Sequence, residues 1–419
     1  LGLLLGAQRL TAGWVWLIGS VASVFIVAQF SLGDRGGIAH PAVLLGLGGI
    51  AVLALLGDGL DRRRLPAFQH AAAAGLLLGL LVLSLLASHR APPADGTLLI
   101  AHGILTATFL IWCGLRGLHG LVPLGALATL IGLATWRASH GTPEPATSLL
   151  GFAATTVLAF TAFPLLLGNR ARGTRAPFVA ALIVHAGAFF FLRDAFLRSG
   201  WKDLQGIVPV GQAILLLPLV RRLVTLEPAG SRDVGRLALV AGSALAFVTA
   251  AIPLQFEKQW ITIAWALLGA SLWWLRTKVP HVGLTLWAAG LHLAVFARLV
   301  VNPWVLGYHP RTATPVLNWF LYAYGVCAAT YFLSAWLAPR SMEPWVARTR
   351  AVGLYLTGGT VLLFLLMNLE IADAFSTGDR VTFHLLGGGA GLAQDLAYTL
   401  GWAIFAILLL AASIRARNR

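Results

Sequence analysis

Charged residues and cysteines are scarce in this chain. Charged residues make up 11% of its 419 residues, less than half the share typical of soluble domains. Only 2 cysteines occur, and both, Cys113 and Cys327, lie within apolar stretches, so we do not expect a disulfide framework. No loop is long or polar enough to form a soluble domain. Apolar residues instead reach 58%, and the mean hydropathy is +0.82.

These apolar residues form about fourteen stretches of spanning length, separated by short polar loops. A bilayer core about 30 Å thick needs about 20 apolar residues per helix, because lipid offers the backbone no hydrogen-bond partner. We therefore predict an all-α, polytopic helical integral membrane protein with about 14 transmembrane helices and no soluble domain. It is predicted to form a single transmembrane helical domain over residues 1–419, with spans at 11–31, 38–57, 66–87, 97–115, 120–136, 147–167, 176–192, 204–220, 237–254, 259–275, 279–297, 314–337, 345–369 and 392–414.

Basic and acidic residues fall on opposite sides of this predicted topology. The side that holds both termini collects 20 of the 30 Lys and Arg residues, but only 5 of the 15 Asp and Glu residues. Because cationic loops are retained on the cytoplasmic face, both termini are predicted to be cytoplasmic. The predicted location is the bacterial cytoplasmic (inner) membrane.

The net charge of +15 is spread over short loops, which does not resemble a basic nucleic-acid-binding module. Attraction of the basic loops to anionic lipid headgroups explains the net charge better. The predicted partners are therefore membrane lipids and, for a scaffold, other envelope proteins, with no nucleic acid. We expect no cofactor. The histidines in or near spans lack the carboxylates and thiols of a metal site and are interpreted as hydrogen-bonded between helices; they are His102, His185, His281 and His292.

Polar residues gather at the predicted outer ends of the later spans. Both charge signs, amides and aromatic rings occur there at one depth, a lining suited to a lipid headgroup or a sugar. The alternative is that these residues are interfacial anchors, since helix ends at a membrane surface favour the same residue types. The candidate ligand-binding residues are Glu257, Lys258, Arg298, Asn318, Tyr322, Asn368, Glu370, Asp373, Gln394 and Asp395.

Three segments carry a family resemblance. They are AIPLQFEKQWITIAWALLGASLWWLRTKVP (Ala251–Pro280), NWFLYAYGVCAATYFLSAWL (Asn318–Leu337) and Leu392–Arg417. On them the chain resembles the large bacterial family of predicted many-span membrane proteins classed as a domain of unknown function. The resemblance implies a soluble, partly coiled-coil segment before the spans and further spans after Arg419, so we expect this chain to be a fragment. It implies no activity.

Three functions fit this pattern. A transporter or translocator of an amphiphilic envelope component, such as a lipid or lipid-linked saccharide, would use the outer polar residues as its pocket, and this is the prediction we favour. A membrane scaffold for an envelope complex would need no pocket. A membrane-embedded transferase would use Asp395 or Asp373 as a base beside Arg298. No Ser-His-Asp or nucleophile-elbow pattern is evident, so an enzyme is not favoured and no catalytic residue is predicted.

Overall fold

A computed structural model describes most of the chain from residue 66 onward. The described residues are 66–87, 95–139, 146–226, 233–257, 259–278, 281–307, 317–338, 351–377, 381 and 391–417. The predicted spans 11–31 and 38–57, and the candidate residue Lys258, lie outside this set. Within it the secondary structure is helical and no strand occurs.

Twelve α-helices follow one another in the described residues. The helices are α1 Pro66–Ala87, α2 Asp95–Arg116, α3 Val122–Ser139, α4 Ala146–Leu166, α5 Ala176–Arg198, α6 Ile207–Leu226, α7 Val234–Gln255, α8 Gln259–Lys278, α9 Val282–Val300, α10 Val326–Leu337, α11 Ala351–Phe375 and α12 Leu392–Arg417. A single π-helical turn, Leu321–Gly325, leads directly into α10. Each helix lies over one of the twelve spans predicted between residues 66 and 414.

The prediction of an all-α protein with long apolar helices is confirmed. Nine described helices, namely α2–α7, α9, α11 and α12, are long and apolar enough to cross a membrane. They support a helical membrane protein, while the number of about 14 spans stays a prediction. The identity of the membrane and the side on which the termini lie also stay predictions.

Helix α5 continues six residues beyond its predicted end at residue 192, and an ion-pair group explains the extension. Asp194 accepts a hydrogen bond from Arg137 Nε at 2.6 Å, and its carboxylate lies 3.1 Å from Arg198 Nε. Arg198 lies four residues after Asp194, so the pair shares one helix face and supports a helical last turn. The same carboxylate joins the ends of α3 and α5.

The described helices pack into two compact units, with the boundary between Ala251 and Ile252. In the first unit, α5 packs against α3 and α4, while α1 packs against α2 and α3. In the second unit, α8 packs against α9 and α10, α10 packs against α11, and α12 lies chiefly along α11. This division concerns packing, and the single transmembrane domain over 1–419 stays a prediction.

Glycines allow some helices of the first unit to approach closely. Gly125 on α3 faces the fully buried ring of Phe109 on α2, and a Cβ at this glycine would overlap the ring. Gly151 on α4, in contrast, has open space where its Cβ would lie. Small residues at close contacts, as at Gly125, let helix backbones pack tightly in lipid, where no hydrophobic effect drives helices together.

A buried arginine fixes the turn between α4 and α5. Arg236, on the first turn of α7, donates from Nη1 to the carbonyl oxygens of Ala171 (2.9 Å) and Thr174 (2.7 Å). Its guanidinium also lies 5.2 Å from the ring centroid of Phe178. The side chain is 1% exposed, so it provides hydrogen bonds that water would otherwise supply to the turn.

Asp233, just before α7, adds a surface ion pair to this turn. It accepts from Arg175 Nε at 2.7 Å and from the backbone N–H of Arg236 at 3.1 Å. The hydrogen bond from Arg175 lowers the pKa of the Asp233 carboxyl below its ordinary value. Because Arg175 is exposed, this ion pair contributes little beside the buried arginine.

Replacing the two glycines by alanine should give opposite results. Gly125→Ala is expected to destabilise the protein by about 1–3 kcal/mol, because the added methyl group overpacks against Phe109. Gly151→Ala, the matched control, is expected to be neutral or more stable by roughly 0.5–1 kcal/mol, because alanine favours a helix over glycine. Thermal unfolding of the purified variants in detergent measures both. Equal melting temperatures would contradict the close approach of α2 and α3.

Removing the Arg236 guanidinium should loosen the α4–α5 turn. Arg236→Met is expected to cost about 1–3 kcal/mol, because two carbonyl groups lose a charged donor. Arg221→Met removes an exposed arginine from α6 and is expected to stay within about 0.5 kcal/mol of the unaltered protein. The comparison uses the same unfolding assay, and an effect no larger at Arg236 than at Arg221 would rule out the proposed stabilisation.

Candidate functional site

Three of the predicted site residues are in direct contact in the second unit, and we call them the carboxylate–amide cluster: Asn318, Glu370 and Asp373. Asn318 Nδ2 lies 2.9 Å from Glu370 Oε2 and 3.3 Å from Asp373 Oδ2. A carboxamide has two N–H hydrogens, so it donates one to each carboxylate. Asn318 and Asp373 are each 3% exposed. Glu370 is half-buried, so the cluster joins two buried side chains to one that is partly exposed.

Local helix geometry brings these three side chains together. Glu370 and Asp373 are three residues apart near the end of α11, which places them on one helix face. Asn318 precedes the π turn, and its Oδ1 accepts from the backbone N–H groups of Phe320 (2.9 Å) and Leu321 (3.2 Å). This is the role of an N-cap residue. The side chain thus caps one helix with its oxygen and holds two carboxylates with its nitrogen.

The end of α9 that carries Arg298 lies against the same π turn. Tyr324, within that turn, donates its hydroxyl hydrogen to the carbonyl oxygen of Leu299 at 2.8 Å. Leu299 follows Arg298 directly, and Arg298 itself is half-buried. The contact places the last turn of α9 beside the helix start that Asn318 caps.

Asn368 is buried nearby but links a different pair of helices. Its Nδ2 donates to the carbonyl oxygen of Phe364 at 2.7 Å, and its Oδ1 accepts from Trp402 Nε1 at 2.8 Å. It therefore joins α11 to α12. Trp402, which the sequence interpretation did not single out, is the partner that fixes the Asn368 side chain.

The remaining candidates have other positions. Gln394 is buried on the first turn of α12, and Asp395 beside it is exposed, where a carboxylate favours the positive end of the helix dipole. Glu257 is exposed before α8. Tyr322 is 54% exposed, while Tyr324 is the buried tyrosine of the turn. The inserted residue of a π turn changes which side chains face inward, and nothing in the sequence signalled it.

A second buried polar group in this unit lies around His292. Its Nδ1 lies 2.9 Å from the carbonyl oxygen of Ala288, and its Nε2 lies 3.3 Å from Ser334 Oγ. Tyr331 donates to the His292 carbonyl oxygen at 2.6 Å. This histidine is hydrogen-bonded between helices, as its sequence context predicted. The neighbouring bond from Trp273 Nε1 to the Tyr355 hydroxyl, at 2.8 Å, was not predicted, because aromatic residues in apolar stretches resemble ordinary core.

Fold and site together define a helical membrane protein with a buried carboxylate–amide cluster where helices begin and end. Among the residues that the structure describes, no group of three His, Cys, Asp or Glu side chains could hold a metal ion. No family model matches the chain, and neither a curated protein nor a solved structure matches it.

Substitutions at Asn318 should separate its two roles. Asn318→Ser keeps a capping oxygen but removes both amide N–H donors, and it is expected to cost about 1–3 kcal/mol because the two carboxylates lose those hydrogen bonds. Asn318→Asp also keeps a capping oxygen but adds a third negative charge, so it is expected to cost more. Thermal unfolding in detergent measures the series.

Asn302 provides the matched control for this series. Its Oδ1 accepts from the backbone N–H of Trp304 at 3.1 Å, so it also caps a turn, outside the carboxylate–amide cluster. Asn302→Asp is expected to be close to neutral. Stability of Asn318→Asp equal to that of the unaltered protein would show that the amide does not hold the two carboxylates.

Proposed function

We propose that this chain is a transporter or translocator of an amphiphilic envelope component, a lipid or lipid-linked saccharide, and that the carboxylate–amide cluster binds its polar headgroup. One observation carries the proposal: a buried carboxamide and a buried carboxylate meet a second, half-buried carboxylate in a unit built from long apolar helices. Polar groups at such positions are costly, which makes them candidates for function.

The chemistry of the cluster suits a headgroup with hydrogen-bond donors. Carboxylates accept hydrogen bonds from sugar hydroxyl groups and from ammonium groups, and bonds to a charged acceptor are stronger than neutral ones. The apolar helix surfaces around the cluster would accommodate the acyl or prenyl tail. An amphiphile therefore matches both the cluster and the apolar helix surfaces, whereas a small polar solute would match only the cluster.

Burial separates this cluster from interfacial anchors. Trp304, 78% exposed, and Tyr322, 54% exposed, have the exposure that anchors in a membrane interface need. Asp373 and Asn318, each 3% exposed, do not have this exposure. In the predicted topology of the bacterial inner membrane, with both termini cytoplasmic, the cluster would lie towards the outer face. The family resemblance stays a prediction and adds no activity.

A membrane scaffold is the second candidate, and α12 favours it. None of the residues in the most apolar stretch of Leu392–Arg415 is buried. Its ties to the rest of the unit include the Trp402–Asn368 bond and ring contacts of Phe364 with Trp402 and Phe405 at 6.1 and 5.4 Å. Lipid or an envelope protein would cover the remaining surface.

Reconstitution into proteoliposomes tests translocation. The probes are fluorescent phosphatidylethanolamine, fluorescent phosphatidylglycerol and a fluorescent polyprenyl-linked sugar. A membrane-impermeant quencher is added outside, and the readout is the rate at which probe from the inner leaflet becomes accessible to it. The unaltered protein is expected to move at least one probe. Asp373→Asn and Glu370→Gln are expected to slow that movement about tenfold to a hundredfold, because losing a hydrogen bond to a charged group costs about 1.5–3 kcal/mol.

Two further variants complete the design. Asp203→Asn replaces an exposed carboxylate of the first unit and should leave the rate unchanged. Asp395→Asn is expected to weaken translocation, and it would be silent for a scaffold or abolish a transferase that uses Asp395 as its base. No movement of any probe by the unaltered protein would contradict the translocator and favour the scaffold. Movement unaffected in Asp373→Asn and Glu370→Gln would contradict the cluster as the binding site.

A further inference from the structure

Basic side chains surround the turn between α4 and α5 in the first unit. The turn itself carries Arg170, Arg172 and Arg175, and all three are exposed. Arg222, near the end of α6, reaches the same turn, because its Nη2 lies 3.9 Å from the position that a Cβ of Gly168 would take. A turn and a neighbouring helix therefore bring four guanidinium groups to one end of this unit.

The backbone under these arginines is held in place, which distinguishes the turn from a loose basic loop. Ala171, between Arg170 and Arg172, is fully buried, and its carbonyl oxygen accepts the hydrogen bond from Arg236 at 2.9 Å. The backbone N–H groups of Arg170 and Arg172 each donate to the carbonyl oxygen three residues earlier, at 3.1 Å. Two exposed arginines are thus displayed on an ordered backbone, which lowers the entropic cost of binding a ligand.

Carboxylates balance little of this positive charge. In the described residues of the α2–α3, α4–α5 and α6–α7 turns, Asp233 is the only acidic residue, and it is paired with Arg175. No ion pair in the part of the chain that the structure describes includes Arg170, Arg172 or Arg222. Three guanidinium groups without a described carboxylate partner create a positive potential that attracts an anion.

We propose that this turn binds the headgroup of an anionic phospholipid, with Arg170, Arg172 and Arg222 donating hydrogen bonds to its phosphate oxygens. The planar guanidinium group matches phosphate geometry, because it offers two parallel N–H donors. Basic pockets between spanning helices bind anionic headgroups in this way. A zwitterionic headgroup fits less well, because it brings its own cation against the arginines. The site belongs to the first unit and does not depend on the carboxylate–amide cluster.

The surroundings of the turn fit a lipid better than a dissolved anion. Leu166, the last residue of α4, is 83% exposed, and Leu217 on α6 is 56% exposed, so apolar surface that suits an acyl chain lies on both helices. Only nine residues separate α4 from α5. Their arginines therefore stay close to the ends of two helices that are long enough to span a membrane, where the headgroup region of a bilayer begins.

Native mass spectrometry of the full chain, released from detergent, tests the site. The probes are phosphatidylglycerol and phosphatidylcholine with identical acyl chains, each titrated over several concentrations. The unaltered protein is expected to bind phosphatidylglycerol several-fold more tightly than phosphatidylcholine. Arg170→Gln/Arg172→Gln is expected to weaken the binding of phosphatidylglycerol about tenfold to thirtyfold, because two basic contacts to an anionic lipid are lost. Its binding of phosphatidylcholine should not change.

Two further double variants separate a headgroup site from diffuse charge. Lys202→Gln/Arg415→Gln removes the same charge from two exposed residues outside the site, and it is expected to bind phosphatidylglycerol like the unaltered protein. Arg170→Lys/Arg172→Lys keeps the charge but loses the planar guanidinium groups, so an intermediate affinity is expected. Thermal unfolding in detergent without lipid should show that all variants fold, because the altered side chains are exposed.

Four results would overturn the proposal. The first is an unaltered protein that does not prefer phosphatidylglycerol. The second is equal affinity of Arg170→Gln/Arg172→Gln and Lys202→Gln/Arg415→Gln for this lipid. The third is an affinity of Arg170→Lys/Arg172→Lys equal to that of the unaltered protein, because diffuse charge would then explain the binding. The fourth is stabilisation against thermal unfolding by inorganic phosphate as large as that by phosphatidylglycerol, because a dissolved anion would then be the ligand.

Discussion

Satisfying polar groups where water is scarce is the constraint on which the rest of this structure depends. Long apolar helices meet most of it for the backbone, because a helix pairs its interior N–H and C=O groups with one another. Hydroxyl side chains meet it in the same way: Ser84, Thr129 and Thr161 each donate to the carbonyl oxygen four residues earlier. A residue that cannot pair within its own helix must find a partner on another one, and those few residues determine how the helices are joined.

The contacts between helices follow from this. Arg236 reaches the α4–α5 turn, Asn318 reaches α11, and Trp402 reaches Asn368. Arg236 and Asn318 lie near helix ends, where backbone groups lack helical partners, so each side chain pairs polar atoms of a turn or a cap. Between these points the helices approach through small residues, as at Gly125. Stability and the candidate site therefore share the same chemistry, which is why a function has to be separated from packing by experiment.

The proposed binding site depends on what the structure leaves for a ligand. The carboxylate–amide cluster concentrates acceptors of negative charge at the end of α11, which suits a headgroup with donors.

The amino-acid sequence alone determined the fold class, the positions of the helices and the polarity of their ends, because apolar length reports directly on helices in lipid. It also selected Asn318, Glu370 and Asp373. Only the tertiary structure decided that these three touch, that Tyr324 and not Tyr322 faces inward, and that Arg137, Arg236 and Trp402 are the partners of polar groups on other elements. Such contacts depend on which helices are neighbours and on one inserted residue in a π turn. Helical periodicity within a single span contains neither piece of information.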